Sequence, residues 1–201
     1  MYAKTSKIIT IGRSYGAGGK TVGKMVAESL GIPYYESELL RETAKNCSLS
    51  EKYLESVDEK EINDAVLYMS VGFMHPGYTS VRQIAANAQR EVIEKIASEG
   101  PCVIVGRRAN EILKGRKDLV SVFITASVEY RTKRIMEREG IDEKAARKKV
   151  NRADKERAAY YNQFSGSEWG YASTYDLCIN TETFGDEKAC ELIVRLVTGS
   201  A

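Results

Sequence analysis

The chain has 201 residues, 43% of them hydrophobic and 29% charged, the balance of a globular protein rather than a fibrous or wholly disordered one. Thirty Lys and Arg against 28 Asp and Glu leave a formal net charge of +2, too little for a dedicated nucleic-acid binder. No apolar run approaches the roughly 18 residues that cross a bilayer, and Ile8 to Ile11 is shorter than a signal-peptide core of roughly 7–15. The expectation is a single cytoplasmic domain, residues 1–201, with neither membrane nor nucleic acid as partner.

In chain order, Lys7-Ile8-Ile9-Thr10-Ile11-Gly12 reads as a buried first strand. A glycine-rich loop follows, then a helix from about Lys20 to Leu30, with Val22, Met25, Val26 and Leu30 on one face. Gly31 supplies its stop and Pro33 forbids continuation. Ile32-Pro33-Tyr34-Tyr35 is a short second strand. From Glu36 to Glu99 the pattern is mostly helical and charged, ending in a long helix through Val81, Ile84, Ala88, Val92 and Ile96. Two further runs, 102–106 and 119–124, read as strands buried on both faces, and 176–180 as a shorter one. A last helix is expected from near Asp186, burying Ala189, Leu192, Ile193, Leu196 and Val197. Strands alternating with helices point to an α/β fold with a parallel sheet.

Four cysteines, Cys47, Cys102, Cys178 and Cys190, are too widely spaced for a zinc site or a disulfide framework. Cys102, Cys178 and Cys190 are expected as buried thiols. The one histidine, His75, sits in Phe73-Met74-His75-Pro76-Gly77 without a nucleophile motif nearby. The segment 131–157 holds eleven Lys or Arg against six Asp or Glu, a local net of +5. It is either a solvated helical hairpin or a surface that closes over a polyanion.

The strongest motif is Gly12-Arg13-Ser14-Tyr15-Gly16-Ala17-Gly18-Gly19-Lys20-Thr21, between a buried strand and an amphipathic helix. That is the setting of a phosphate-binding loop. Glycines let successive N–H groups turn toward phosphate oxygens, and the new helix points its positive end at the same anion. Ser14, Tyr15, Gly16, Ala17, Gly18, Gly19, Lys20 and Thr21 are therefore the expected ATP-binding residues. Lys20 would sit at the β- and γ-phosphates and the Thr21 hydroxyl on Mg²⁺. Ser14 stands where G-x-x-x-x-G-K-[ST] has its first glycine. No N-K-x-D motif marks a guanine-specific GTPase, and the strand 102–106 runs into Arg107-Arg108 rather than Asp. A cation there suits a second phosphate-bearing ligand.

With these residues in view, the chain resembles the cytidylate kinase-like family of the nucleoside monophosphate kinase group. Five segments carry the resemblance: the phosphate loop, 27–35, Val103-Ile104-Val105-Gly106-Arg107, 126–134 and Asp154-Lys155-Glu156-Arg157. The resemblance implies a three-layer α/β sandwich around a five-stranded parallel sheet of order 2-3-1-4-5. It also implies a helical acceptor-binding insert over 36–88 and a lid region over 131–169. Arg131 and Arg134 resemble the arginines at the base of the lid, which clamp phosphates. Asp154 and Arg157 resemble a nucleotide-contacting pair, and Arg107 matches an arginine that holds the acceptor's phosphate. Glu36 falls on the acceptor side, as a water-mediated Mg²⁺ contact or as a helix cap near Ser37. Lys20, Arg131, Arg134 and Arg157 are then the expected catalytic set, Arg107, Asp154 and Glu36 the substrate contacts, and Thr21 the metal contact. Arg108 follows Gly-Arg where bacterial cytidylate kinases tend to have Asp. The expected activity is phosphoryl transfer from ATP, with Mg²⁺, to a nucleoside monophosphate, CMP or dCMP first. The alternatives are a kinase of another small metabolite and a nucleotide-binding regulatory protein with little turnover.

Overall fold

A computed structural model describes residues 5–36, 39 and 81–199. In chain order these form β1 (Ile8–Arg13), α1 (Gly19–Leu30), β2 (Tyr34–Tyr35), α2 (Val81–Glu99), β3 (Val103–Val105) and α3 (Ala109–Ile112). Then come β4 (Leu119–Thr125), α4 (Val128–Glu139), α5 (Glu143–Phe164), a 3₁₀ turn (Ala172–Thr174), β5 (Leu177–Asn180) and α6 (Thr181–Thr198). The sheet is parallel, in the order β2-β3-β1-β4-β5. This is the order the resemblance implies.

Alternation along β1 explains the layering. Ile9 and Ile11 join a core with Val22 and Val26 of α1 and Ala189 and Ile193 of α6. Ile8 joins the opposite core, with Val92, Ile93 and Ile96 of α2 and Ala109 and Ile112 of α3. A strand buried on both faces thus needs helices on both sides, and each fully buried aliphatic side chain contributes roughly 1.5–3 kcal/mol. Because β3 and β4 flank β1 on opposite sides, the chain leaves the sheet in opposite directions at the carboxyl end of β1. That divergence opens the crevice where ligands of open α/β sheets bind, and the loop after β1 sits in it.

The basic segment 131–157 is a helical hairpin. Ser127 accepts from the Tyr130 N–H to start α4, Gly140 ends it at φ 65°, and Asp142 accepts from the Ala145 N–H to start α5. Between the two helices lies a small core of Ile135, Ala146 and Val150, with Tyr15 of the glycine-rich loop packed against it.

Several expectations need correction. The main body of the last helix begins near Asp186 as expected, after Gly185 at φ 74° and ψ 169°, but a short helical turn from Thr181, capped by the Asn180 side chain, precedes it. Leu196 is half exposed rather than buried. Cys178 is exposed, because β5 is an edge strand that keeps only Ile179 fully covered; Cys102 and Cys190 are buried. Apart from Glu36, Leu39 and the start of α2, the expected insert over 36–88 lies outside the described residues, as do Cys47 and His75.

Candidate active site

The glycine-rich loop turns on two left-handed glycines, Gly16 at φ 83° and Gly18 at φ 87°. A Cβ on Gly16 would crowd the Arg131 carbonyl oxygen at 3.1 Å, and Gly18 has no room for one. A Cβ on Gly18 would strike Asp186 Oδ1 and lie 2.9 Å from Arg134 Nη1; one on Gly19 would lie 2.5 Å from Arg13 Cβ. Ser14 needs no glycine, since its φ is not in the left-handed region. Its N–H donates to Ile124 O at 2.9 Å and its hydroxyl lies 3.3 Å from Thr125 Oγ1.

The loop is braced from below. Asp154 accepts the Tyr15 N–H at 2.7 Å. Arg131 donates to Asp154 at 2.6 Å, to Tyr15 O at 2.9 Å and to Ala126 O at 3.0 Å. The Thr181 hydroxyl donates to Ala17 O at 2.7 Å. Arg131 and Asp154, which the resemblance places at the ligand, here bind each other and the Tyr15 backbone and do not line the cleft. The buried Arg131 guanidinium, 5% exposed, has all of these contacts within the protein.

Above the loop is an open cleft of about 650 Å³. The loop from Arg13 to Thr21 forms one wall, with Glu36, and Arg134, Arg138 and Arg157 form the other. Lys20 Nζ meets Glu36 at 2.6 Å, and the same carboxylate accepts the Tyr34 hydroxyl at 3.2 Å. Thr21 is exposed toward the cleft. Arg134 grips Asp186 with two bonds, 3.0 and 2.8 Å, and that carboxylate raises its pKa. Arg157 Nη1 donates to Arg13 O at 3.3 Å. Among the described residues no group of three or more His, Cys, Asp and Glu could hold a metal ion, so a divalent cation here would rest on Thr21, bound phosphates and water, the usual habit of Mg²⁺.

Residue-by-residue reading missed Arg13, Arg138 and the Tyr15 side chain. The guanidiniums of Arg138 and Arg157 lie over the Tyr15 ring, at 5.5 and 5.3 Å from its centre. Its hydroxyl accepts from Arg138 at 2.9 Å and donates to Glu139 at 3.2 Å. The spacing 131, 134, 138 carried the signal for Arg138, since those positions share a helix face.

At the end of β3, Gly106, Arg107 and Arg108 have φ values of 81°, 57° and 56°. Successive left-handed non-glycine residues cost roughly 1–3 kcal/mol each, and here they turn two arginines inward. Arg107 is buried. Burial pushes its guanidinium pKa below the usual range, Arg13 and Arg157 add to this, and Tyr160 and Glu36 oppose it. Arg108 is a tie between helices: it donates to Phe164 O at 2.8 Å and Ala86 O at 3.5 Å and lies over the Tyr160 and Phe164 rings. Gln89 of α2 is buried and accepts the Tyr160 hydroxyl at 2.8 Å.

Comparison with known proteins agrees with this geometry. The model of the cytidylate kinase-like family matches residues 8–183. A protein of Methanopyrus kandleri named cytidylate kinase is 25% identical over 94% of this chain and 91% of its own length. A crystal structure of a protein from Eubacterium ventriosum superposes with a TM-score of 0.74 at 34% identity, covering 97% of this chain and 99% of that one. Shikimate kinase from Bacteroides thetaiotaomicron shares the fold, with a TM-score of 0.53 at 15% identity over 94% of this chain and 97% of that one. A phosphate loop at the crevice of a 2-3-1-4-5 sheet, under a hairpin of arginines, therefore has a family: the chain belongs to the cytidylate kinase-like family and is an ATP-dependent phosphotransferase.

Proposed function

We propose that the chain moves the γ-phosphoryl of Mg·ATP to a nucleoside monophosphate in the cytoplasm, CMP or dCMP first. The observation that carries this reading is the ring of cations around the cleft. Lys20, Arg134, Arg138 and Arg157 surround one space, and Arg107 lies buried at the neighbouring strand end. Family relatives named cytidylate kinase support the choice of acceptor. No helix among the described residues is long and apolar enough to cross a membrane.

In this reading the loop amides and Lys20 hold the donor phosphates, and Lys20 leaves Glu36 to do so. Thr21 holds Mg²⁺, which when bound neutralises charge on the β- and γ-phosphates. Arg107 holds the acceptor phosphate. Arg134 and Arg157 face charge that develops on the transferring group, where preorganised donors have their greatest effect. Arg131 and Asp154 act by fixing the loop that the phosphates occupy. Hairpin and loop together keep water from the reacting phosphoryl.

An acceptor panel with ATP and Mg²⁺ tests the reading. ADP formation that depends on CMP or dCMP supports it. ADP formation with only a non-nucleotide acceptor reassigns the substrate, and ATP binding without turnover on any acceptor refutes an enzymatic role.

A further inference from the structure

The short segment between β5 and the main body of α6 reaches both walls of the cleft. The Thr181 hydroxyl donates to Ala17 O of the loop at 2.7 Å. Glu182 accepts the Ser127 N–H at 3.1 Å, at the start of α4. Asp186 touches both walls at once. Its two oxygens accept from Arg134 Nη1 and Nη2 at 3.0 and 2.8 Å, and Oδ1 lies so close to Gly18 that a side chain there would strike it. Gly185 makes this reach possible. At φ 74° and ψ 169° it occupies backbone that is essentially reserved for glycine. A Cβ built on it would meet only Glu187 Oε2, at 3.6 Å, so the glycine supplies a dihedral angle rather than space. That break sets the Asp186 carboxylate against the loop and the hairpin together.

Where Asp186 sits decides what it does. Arg134 lines the donor cleft and also a hollow of about 460 Å³ beside it, whereas Asp186 lines the hollow and not the cleft. The carboxylate therefore holds Arg134 from outside the cleft, in a planar two-bond geometry that a lysine could not match. A guanidinium carries more N–H donors than one carboxylate takes, so Arg134 can keep Asp186 and still donate into the cleft. An arginine loses much rotamer freedom when it is held, and orienting it in advance removes that loss from the reaction step. We propose that Asp186 is the positioning residue for Arg134: it fixes the plane of that guanidinium at the rim of the cleft before either substrate arrives, and does not itself bind nucleotide. The inference rests on Arg134 meeting the transferring phosphoryl group. It gives Asp186 an effect on the rate of transfer and almost none on ATP binding. A carboxylate that only occupied Arg134 until phosphates displaced it would do the reverse, weakening ATP binding and leaving the rate of the bound complex alone.

Asp186→Asn keeps the size of the side chain and removes its charge and one of its two acceptors. The full chain is assayed with ATP, Mg²⁺ and CMP, or whichever acceptor of the panel it turns over. In the variant kcat should fall about tenfold or more, as for a misaligned catalytic group. The ATP Kd, measured by calorimetry, should stay within about threefold of the parent's. Arg134→Gln should lower kcat as well, and adding Asp186→Asn to it should change little more, because a group that acts only through Arg134 has no effect once Arg134 is gone. Three results overturn the proposal. The first is an Asp186→Asn chain with the parent's kcat, whether or not it binds ATP more tightly. The second is a loss of ATP affinity as large as the loss of kcat. The third is an Asp186→Asn effect that persists in full beside Arg134→Gln, which would make Asp186 a general support of the fold. A parent chain without turnover on any acceptor removes the role of Arg134 and this inference with it; an active parent with an indifferent Asp186→Asn variant overturns the inference alone. Should Asp186→Asn fail to fold, Asp186→Ser, which also lacks the charge and suits the start of a helix, is judged by the same measurements.

Discussion

Lys20 is 60% exposed on its side chain and touches Glu36, while its backbone starts α1. Such a residue contributes little to the fold but much to a bound phosphate. Lys20→Ala should slow phosphoryl transfer by about a hundredfold or more with an unchanged thermal midpoint; steady-state kinetics beside a melting curve read both. Arg107 is the opposite kind of residue, buried and strained. Arg107→Lys keeps the charge but loses the planar fork, so the acceptor KM should rise about tenfold or more while ATP affinity, measured by calorimetry, stays put. A drop in ATP affinity with an unchanged acceptor KM would remove Arg107 from the acceptor side. At this scale the loop was readable from sequence, because strand, glycines, Lys20 and Thr21 are contiguous. The inward turn of Arg131 and Asp154 was not. It depends on α5 returning 23 residues later to set a carboxylate under the Tyr15 amide, a contact with no local signature.

The α4–α5 hairpin is held together by few apolar side chains and many charges. Glu139 accepts from Lys149 at 2.5 Å, Arg138 at 2.8 Å and the Tyr15 hydroxyl at 3.2 Å. These bonds, that from Lys149 first, hold its carboxyl down to about 2, against an ordinary 4.5. A carboxyl with a depressed folded pKa stabilises fully above its unfolded value and loses that contribution as pH falls. This contribution to hairpin stability should therefore decline from about pH 4.5 downward and be lost near pH 2. Glu139→Gln should flatten that decline and lower the midpoint near neutrality, which melting curves against pH will read. The hairpin's core of Ile135, Ala146 and Val150 is much smaller than the two cores on the sheet. Its amides should exchange faster than those of β1 and β4 without ligand, and become protected with ATP and acceptor bound. Exchange read by mass spectrometry tests this; full protection without ligand would make the hairpin a fixed element. Helix periodicity exposed faces correctly but not depth, so Leu196 was placed in the core when α6 leaves it half exposed. Periodicity marks the main body of α6 from near Asp186, but not the short turn before Gly185 that Asn180 caps. Cys178 looked buried because β5 is apolar, and only its place at the sheet edge shows otherwise.

For the molecule as a whole, strand order decides where chemistry is possible. β1 between β3 and β4 puts the phosphate loop at the crevice, β3 delivers Arg107 to one side of it, and the connection after β4 delivers the arginine hairpin to the other. The alternation of strands and helices made the α/β class legible, and the order of the strands followed from the family resemblance rather than from any pattern in the residues. The acceptor side is the less legible half, because Arg107 and Arg108 acquire their roles only through a backbone turn that two arginines would not by themselves suggest. The proposed reaction is transfer of a phosphoryl group between two nucleotides in this crevice. Phosphorus NMR of the purified chain with Mg·ATP and CMP tests it most directly. CDP and ADP should appear together in equal amounts while inorganic phosphate stays near background. ADP accompanied by inorganic phosphate without CDP, or unchanged ATP and CMP in the presence of a folded, ATP-binding protein, would contradict it.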